Sequence, residues 1–387
     1  MTKSIDSKLP NVGTTIFTVM SQMAADTDAI NLSQGFPSFE PPQDLIDRIS
    51  FHLNNGANQY APMAGVPPLR QAIASKTQRV QARSIDDELE VTTCCGATEG
   101  LFCAIQAVVR TGDEVIVFDP AYDSYEPAIT LAGGITRHLP LRINDNGSDF
   151  SIDWQRLNDC INAKTRLIII NFPHNPTGAI LTDADLDKLA EAVRDSDCYL
   201  LSDEVYEHIV FDGESHRSLL SHDELWQRTM VISSFGKTFH ATGWKLGYCI
   251  APAFLSAEFR KVHQFVTFSI STPVQYGIAD FLVSNPEFYE NLAAFYQEKR
   301  DLFCKLLDNS RFKLMPARST FFQILDYSEI SDELDLDLAQ QWTRDKGVAS
   351  IPLSVFCEKP FTGSRLRFCF AKDDATLKAA AQILCEL

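Results

Sequence analysis

The stretch richest in candidate chemistry runs Ser233-Ser234-Phe235-Gly236-Lys237-Thr238-Phe239-His240-Ala241-Thr242-Gly243-Trp244-Lys245-Leu246-Gly247-Tyr248. Lys237 follows the apolar run Met230-Val231-Ile232 by way of a glycine-containing loop, which is not the setting of an ordinary core residue. A lysine so placed is a candidate for nucleophilic or acid–base work by an amine. Ser234 and Lys237 also form the Ser-x-x-Lys pair of serine acyl-enzymes, but the Ser-Asp-Asn and Lys-Thr-Gly elements of that machinery are absent. A second apolar run, Tyr199-Leu200-Leu201, ends in Ser202-Asp203-Glu204-Val205-Tyr206, a carboxylate followed about one turn later by a phenol. Asn171-Phe172-Pro173-His174-Asn175-Pro176-Thr177-Gly178 follows the run Leu167 to Ile170, and its prolines predict a turn that presents an Asn side chain. Cys95-Gly96-Ala97-Thr98-Glu99 opens a helical stretch, whose free N–H groups and positive dipole end can hold a phosphate. No G-x-G-x-x-G or Walker lysine motif is present, which disfavours a dinucleotide or a nucleoside triphosphate.

All these residues fall at the ends of predicted strands. Leu89 to Thr93, Val115 to Phe118, Leu167 to Ile170, Tyr199 to Leu201 and Met230 to Ile232 read as strands, and their continuous apolar runs suit a parallel sheet buried on both faces. Between them lie amphipathic stretches such as Glu99 to Arg110, where Leu101, Phe102, Ile105, Val108 and Val109 form one apolar stripe. The alternation predicts an α/β domain over residues 46–280, with its site beyond the carboxyl ends of the strands. Residues 281–387 predict a smaller α+β domain: a long helical region from about Asn285 to Ser310, strands at Thr320 to Leu325 and Arg365 to Phe370, and a closing helix. Residues 1–45 are expected to contribute to that smaller domain.

The chain has 387 residues, 45% of them hydrophobic and 22% charged, which predicts a folded globular protein of two closely packed domains. A net charge of −17 argues against a nucleic-acid partner and an anionic membrane surface. The start, Met1 to Pro10, lacks a signal-peptide apolar run, and no stretch is apolar enough to span a bilayer, so a cytoplasmic protein is expected. The ten cysteines show no C-x-x-C and are expected to be reduced, and the eight histidines suggest no zinc cluster with them.

The motifs together resemble the class I aminotransferases among the fold-type I pyridoxal-phosphate enzymes, over nearly the whole chain and in the family's order. Asn-Leu-Ser-Gln-Gly-Phe-Pro (31–37), Asn-Gln-Tyr-Ala-Pro-Met-Ala-Gly (58–65), the Asn-Pro-Thr-Gly turn, Ser-Phe-Gly-Lys and Arg-Leu-Arg-Phe-Cys-Phe-Ala (365–371) are similar to the bacterial methionine aminotransferases and the kynurenine aminotransferase and glutamine transaminase K group. The resemblance implies a fold-type I transferase: a mostly parallel central sheet with helices on both faces, plus the smaller α+β domain. It implies that Lys237 holds pyridoxal 5'-phosphate as a Schiff base and shuttles the proton, and that Asp203 keeps the pyridine nitrogen protonated. Tyr206 and Asn175 would donate to the cofactor's phenolate oxygen. Gly96, Ala97, Thr98, Ser234 and Lys245 would hold the phosphate, and Tyr122 would stack on the ring. Arg367 would grip the substrate carboxylate, with Gly35 letting the amino-terminal segment approach it. Arg365 lies on the same strand face by periodicity, and only the family frame favours Arg367. The family also implies a homodimer with a shared site, Tyr60 reaching the neighbouring subunit's phosphate.

By the same resemblance Phe17, Tyr122 and the partner-derived Phe268 wall the side-chain pocket. No arginine stands between Gln264 and Thr272, so methionine or an aromatic or neutral amino acid is expected as donor, rather than aspartate, with a 2-oxo acid as acceptor. Phe17 and Tyr122 stand where the kynurenine group often has tryptophan and phenylalanine. The alternative is a kynurenine or glutamine transaminase with cysteine-conjugate β-lyase activity. A remote one is a non-catalytic aminotransferase-like regulator, which would need a DNA-binding domain ahead of residue 15 or so.

Overall fold

The computed structural model describes residues 5–144, 149–359 and 363–387, so the first four residues of the amino-terminal stretch lie outside the described residues. Its main sheet has seven strands, in the order Val91–Cys94, Gly247–Ile250, Thr229–Ser234, Tyr199–Asp203, Thr165–Asn171, Glu114–Asp119, Ile135–Pro140. The last five pair in parallel, whereas Gly247–Ile250 runs antiparallel to both neighbours. Central strands such as Thr229–Ser234 are buried along their whole length, as expected of a sheet covered on both faces.

Two strands of this sheet escape the sequence reading. Ile135–Pro140 alternates exposed with half-buried or buried positions because it is the edge strand, and its polar residues hide the pattern. Gly247–Ile250 is four residues long and is recognisable only through its partners, Val91–Cys94 and Thr229–Ser234. The first predicted strand begins at Val91 rather than Leu89, because Leu89 is exposed in a turn. The predicted long helix from Asn285 is two, Pro286–Glu290 and Leu292–Leu306, with Asn291 ending one and starting the next.

The C-terminal region builds a four-stranded sheet in the order Lys313–Leu314, Phe322–Asp326, Arg365–Cys369, Ile351–Pro352. Ile30–Asn31 pairs in parallel with Val348–Ala349, which ties the amino-terminal segment to this region. One apolar cluster, including Tyr206, Tyr296, Phe303, Phe321, Phe322 and Phe368, joins this sheet to the loop after Tyr199–Asp203. That loop is also paired by backbone, Phe211 N–H to Arg318 O at 2.9 Å and Thr320 N–H to Ile209 O at 2.9 Å. Arg300, its side chain buried, forks onto Asp212 at 2.5 and 2.7 Å and so fastens the loop's far end to helix Leu292–Leu306. Among the described residues no helix is long and apolar enough to cross a membrane.

Leu201 is fully buried in the strand that ends at Asp203. Leu201→Ala is expected to cost about 2–5 kcal/mol through lost transfer energy and a residual cavity. Urea unfolding would check it; an unchanged midpoint would mean that the strand repacks.

Candidate active site

A cavity of about 170 Å³ lies where the central strands end. The last residues of three strands and the segments that follow them supply its walls: Asn171 and then Asn175, Asp203 and then Val205 and Tyr206, Ser234 and then Gly236 and Lys237, which lie on a short helix, Phe235–Thr238, where the sequence suggested a loop. This is the position in which an open α/β sheet collects ligands, because helices cover its faces and only the loop edge stays open.

On one side of the cavity helix Gly96–Val108 begins, with Gly96, Ala97 and Thr98 in its wall. Its first N–H groups have no partner within the helix and present a positive end suited to a phosphate. Gly96 has φ +72°, and a Cβ there would come 3.2 Å from Lys245 Nζ. The bare backbone therefore lets the Lys245 ammonium close over the helix start, which adds a positive charge to that corner. Ser234 lines the same cavity.

Asp203, in the wall of the same cavity, is almost wholly buried and accepts a 2.6 Å hydrogen bond from the Tyr125 hydroxyl. Burial pushes its carboxyl up to about 6, with Tyr125 pulling the other way. Asn171 donates to the Asp203 carbonyl at 3.1 Å and accepts from Asn175 N–H at 3.2 Å, so one asparagine ties two walls together. Lys237 lines the same cavity. Burial lowers its amine to about 8, so much more of it is uncharged near neutrality than for a lysine in water. Its Nζ donates to Gly35 O at 2.8 Å. A Cβ on Gly35 would stand 2.9 Å from the Phe322 ring, so the segment can come this close to Lys237 only as glycine.

Arg367 is fully buried, donates to Asn175 Oδ1 at 2.9 Å and to Ser33 O at 3.0 Å, and lies 4.0 Å from the centre of the Phe322 ring. Its Nε is buried with no partner among the described residues, an N–H in want of an anion. Arg365, two residues away, pairs instead with Asp326 at 3.6 Å. The strand alternation that left the two arginines equivalent is thus resolved by their different neighbours. Phe17 is half-buried, its ring 5.3 Å from the Arg367 guanidinium carbon and 5.8 Å from Phe356. Tyr122 forms part of the cavity wall and also borders the open groove that holds Phe17.

Gly35, Arg367 and Phe17 adjoin the cavity through Lys237, Asn175 and Arg367 without lining it, and two further expected site residues lie away from it. Tyr60 is 82% exposed and Phe268 47% exposed, their rings in edge contact at 5.4 Å on the outer surface. Tyr125 and Asn171 are the converse: sequence reasoning assigned them nothing, although Asn171 opens the segment read as a turn. A tyrosine three residues after Tyr122 and an asparagine four before Asn175 carry no mark in the sequence of where their side chains point.

A Cys/His cluster was not expected, yet the fold brings Glu99, Cys103 and His263 together. Glu99 Oε1 is 2.7 Å from His263 Nδ1 and 2.9 Å from Cys103 Sγ, which are hydrogen-bond separations. Its other oxygen accepts from Cys95 N–H at 3.0 Å, so the trio braces the start of the helix beside the cavity.

The raised Asp203 value has a sign. Its folded-state carboxyl holds a proton more tightly than the ordinary Asp at about 3.9, so stability falls as pH rises from about 4 to 6 and stays lower above. Asp203→Asn keeps an acceptor for Tyr125 and is expected to stabilise the cofactor-free protein at pH 8 by about 2–3 kcal/mol, the gain vanishing near pH 4. Urea unfolding at the two pH values checks this; equal stability at pH 8 would mean that burial does not penalise this carboxylate.

The model of aminotransferase class I and II matches residues 27–384 of the chain. Escherichia coli methionine aminotransferase is 50% identical over 381 residues, 98% of this chain and 98% of that protein. Mouse kynurenine–oxoglutarate transaminase 3 is 34% identical, covering 97% of this chain and 88% of the relative. Among solved structures, Escherichia coli YbdL, in which a methionine aminotransferase function was identified, superposes with a TM-score of 0.97 at 49% identity over 100% of both chains. A double mutant of Thermus thermophilus aspartate aminotransferase superposes with a TM-score of 0.89 at 27% identity, covering 99% of each. The ordered loop-edge cavity and these full-length likenesses have one reading: the chain belongs to the class I and II aminotransferase family.

Proposed function

We propose that the protein is a pyridoxal-phosphate-dependent aminotransferase whose donor is methionine or another neutral or aromatic amino acid. The observation that carries it is one cavity flanked by a buried amine of lowered pKa, a buried carboxylate, and a helix start closed by a lysine. That set fits a phosphorylated pyridine aldehyde: the phosphate at Gly96, Ala97, Thr98, Ser234 and Lys245, the ring beside Tyr122, and its nitrogen toward Asp203. When bound, pyridoxal phosphate supplies a carbonyl carbon that takes up amines and a ring that accepts electrons from the substrate α-carbon.

The chain's own groups do the rest. Lys237, its amine lowered to about 8 by burial, acts as the amine nucleophile and then carries the proton to and from the substrate α-carbon. Asp203 holds a proton at the ring nitrogen. Tyr206 and Asn175 donate hydrogen bonds at the ring oxygen. Arg367 receives the substrate carboxylate, its unpaired Nε and exacting planar fork set for that group. The partly apolar approach past Phe17 and Tyr122 favours uncharged side chains, and the 50% identity to a methionine aminotransferase supports methionine among them. Kynurenine–oxoglutarate transaminases among the relatives keep the aromatic alternative in the same pocket.

The exposed Tyr60–Phe268 pair is read as a surface that a second copy covers, Tyr60 then reaching that copy's phosphate corner and Phe268 its side-chain pocket. Sedimentation of the purified protein is expected to give a dimer, and an active monomer would refute the shared site.

The purified protein is expected to show a visible cofactor band that disappears in Lys237→Ala and is bleached by methionine with release of its 2-oxo acid. Comparing kcat/KM for methionine and aspartate tests the donor; a preference for aspartate would overturn it. No band after added cofactor would overturn the cofactor assignment itself.

A further inference from the structure

Lys76, on helix Pro67–Gln81, is 4% exposed, a rare position for a lysine. Its Nζ lies 2.8 Å from Glu207 Oε1, 2.6 Å from Tyr248 Oη and 3.1 Å from His208 Nε2. An ammonium has three N–H donors and no acceptor, so the three partners saturate it and His208 Nε2 must accept, its ring proton then being on Nδ1. Burial pushes His208 down to about 3, which agrees with a neutral ring. Glu207 Oε1 also accepts from the Tyr248 hydroxyl at 2.6 Å and the Ser233 hydroxyl at 2.5 Å. Burial alone would raise the Glu207 carboxyl, but Lys76 holds it well below the usual carboxylate range.

A buried ion pair is a poor device for stability, since its desolvation cost is of the same size as its attraction. Its members here stand beside the cavity. Glu207 follows Tyr206, and Ser233 precedes Ser234 on a strand where successive side chains point to opposite faces. Among the described residues the Tyr206 hydroxyl has no hydrogen-bond partner; its ring is held by edge contacts to Phe321 at 5.1 Å and Phe322 at 5.9 Å. Its aim therefore depends on the turn that carries it, closed by Glu207 N–H to Glu204 O and Ile209 N–H to Tyr206 O, both 2.9 Å. The Glu207 carboxylate anchors that turn to the sheet.

We propose that Lys76 and Glu207 are positioning residues that fix the Tyr206 hydroxyl toward the ring oxygen of bound pyridoxal phosphate. The inference rests on the role given above to Tyr206. Asp203, Tyr122, Arg367, Cys369 and Lys245 also act on Tyr206 or Lys237, and they and Lys237 are left unaltered by the test.

The test is the visible absorbance of the cofactor-loaded protein against pH, which reads ionisation rather than turnover. Tyr206→Phe removes a donor to the deprotonated form and is expected to raise the absorbance midpoint. Lys76→Met with Glu207→Gln removes both charges together and leaves no unpaired one in the core. That double variant is expected to raise the midpoint by roughly 0.5–1 pH unit, and adding Tyr206→Phe to it to move it no further than Tyr206→Phe alone. Tyr248→Phe, which keeps the ion pair but removes its bridging hydroxyl, should give a smaller shift of the same sign and serves if the double variant does not fold. A folded double variant with an unchanged midpoint, beside a shifted Tyr206→Phe, would overturn the inference and leave the cluster a structural one. A silent Tyr206→Phe would overturn the reading of Tyr206 and the inference with it.

Discussion

Holding an amine, a carboxylate and a guanidinium out of water around one small cavity is the constraint that shapes this protein. Each charge loses hydration worth several kcal/mol when buried, and the loss is tolerable only where hydrogen bonds and opposite charges replace the water. Asp203 has the Tyr125 hydroxyl, Lys237 has the Gly35 carbonyl, and Arg367 has Asn175 and Ser33. None of these substitutes is complete. The residual cost is visible in the raised Asp203 carboxyl, the lowered Lys237 amine and the orphaned Arg367 Nε. A site that is under-solvated when empty binds a complementary charged ligand strongly, because the ligand returns the interactions that folding removed.

Two parts of the fold must meet for this to work. The seven-stranded sheet brings Asp203, Lys237 and the helix start at Gly96 to one edge. Arg367 comes from the C-terminal sheet, and Ser33 and Gly35 from the amino-terminal segment. The loop after Asp203 crosses between them, with Glu207 held by Lys76 at one end and Asp212 held by Arg300 at the other. Tyr206 sits on that crossing and packs against Phe321 and Phe322 of the C-terminal part. Any relative displacement of the two sheets would therefore act on Tyr206 directly.

Much of this is legible in the residue order. Apolar runs such as Leu167 to Ile170 mark central strands because a strand covered on both faces has no polar side to show. The polar residues that follow such runs mark the site for the same reason, since the loop edge is the one part of the sheet left open. Legibility fails where burial is one-sided or the partner is remote. Ile135–Pro140 is a strand by virtue of Glu114–Asp119 beside it, and Gly247–Ile250 is antiparallel because of where its two neighbours lie.

The sequence by itself determined the amine at Lys237, the carboxylate at Asp203, the phosphate-suited helix start at Gly96 and the α/β alternation that puts them at strand ends, because these follow from local pattern and side-chain chemistry. Tertiary structure alone decided that Arg367 and not Arg365 meets Asn175, that Tyr125 supports Asp203, that Glu99 is joined by His263, and that Lys76 is saturated by Glu207, Tyr248 and His208. Each of those choices depends on which distant segment packs against the residue. Neither the type of a side chain nor its spacing along the chain carries that information, since hydrogen-bond partners and loss of solvent are set by neighbours in space.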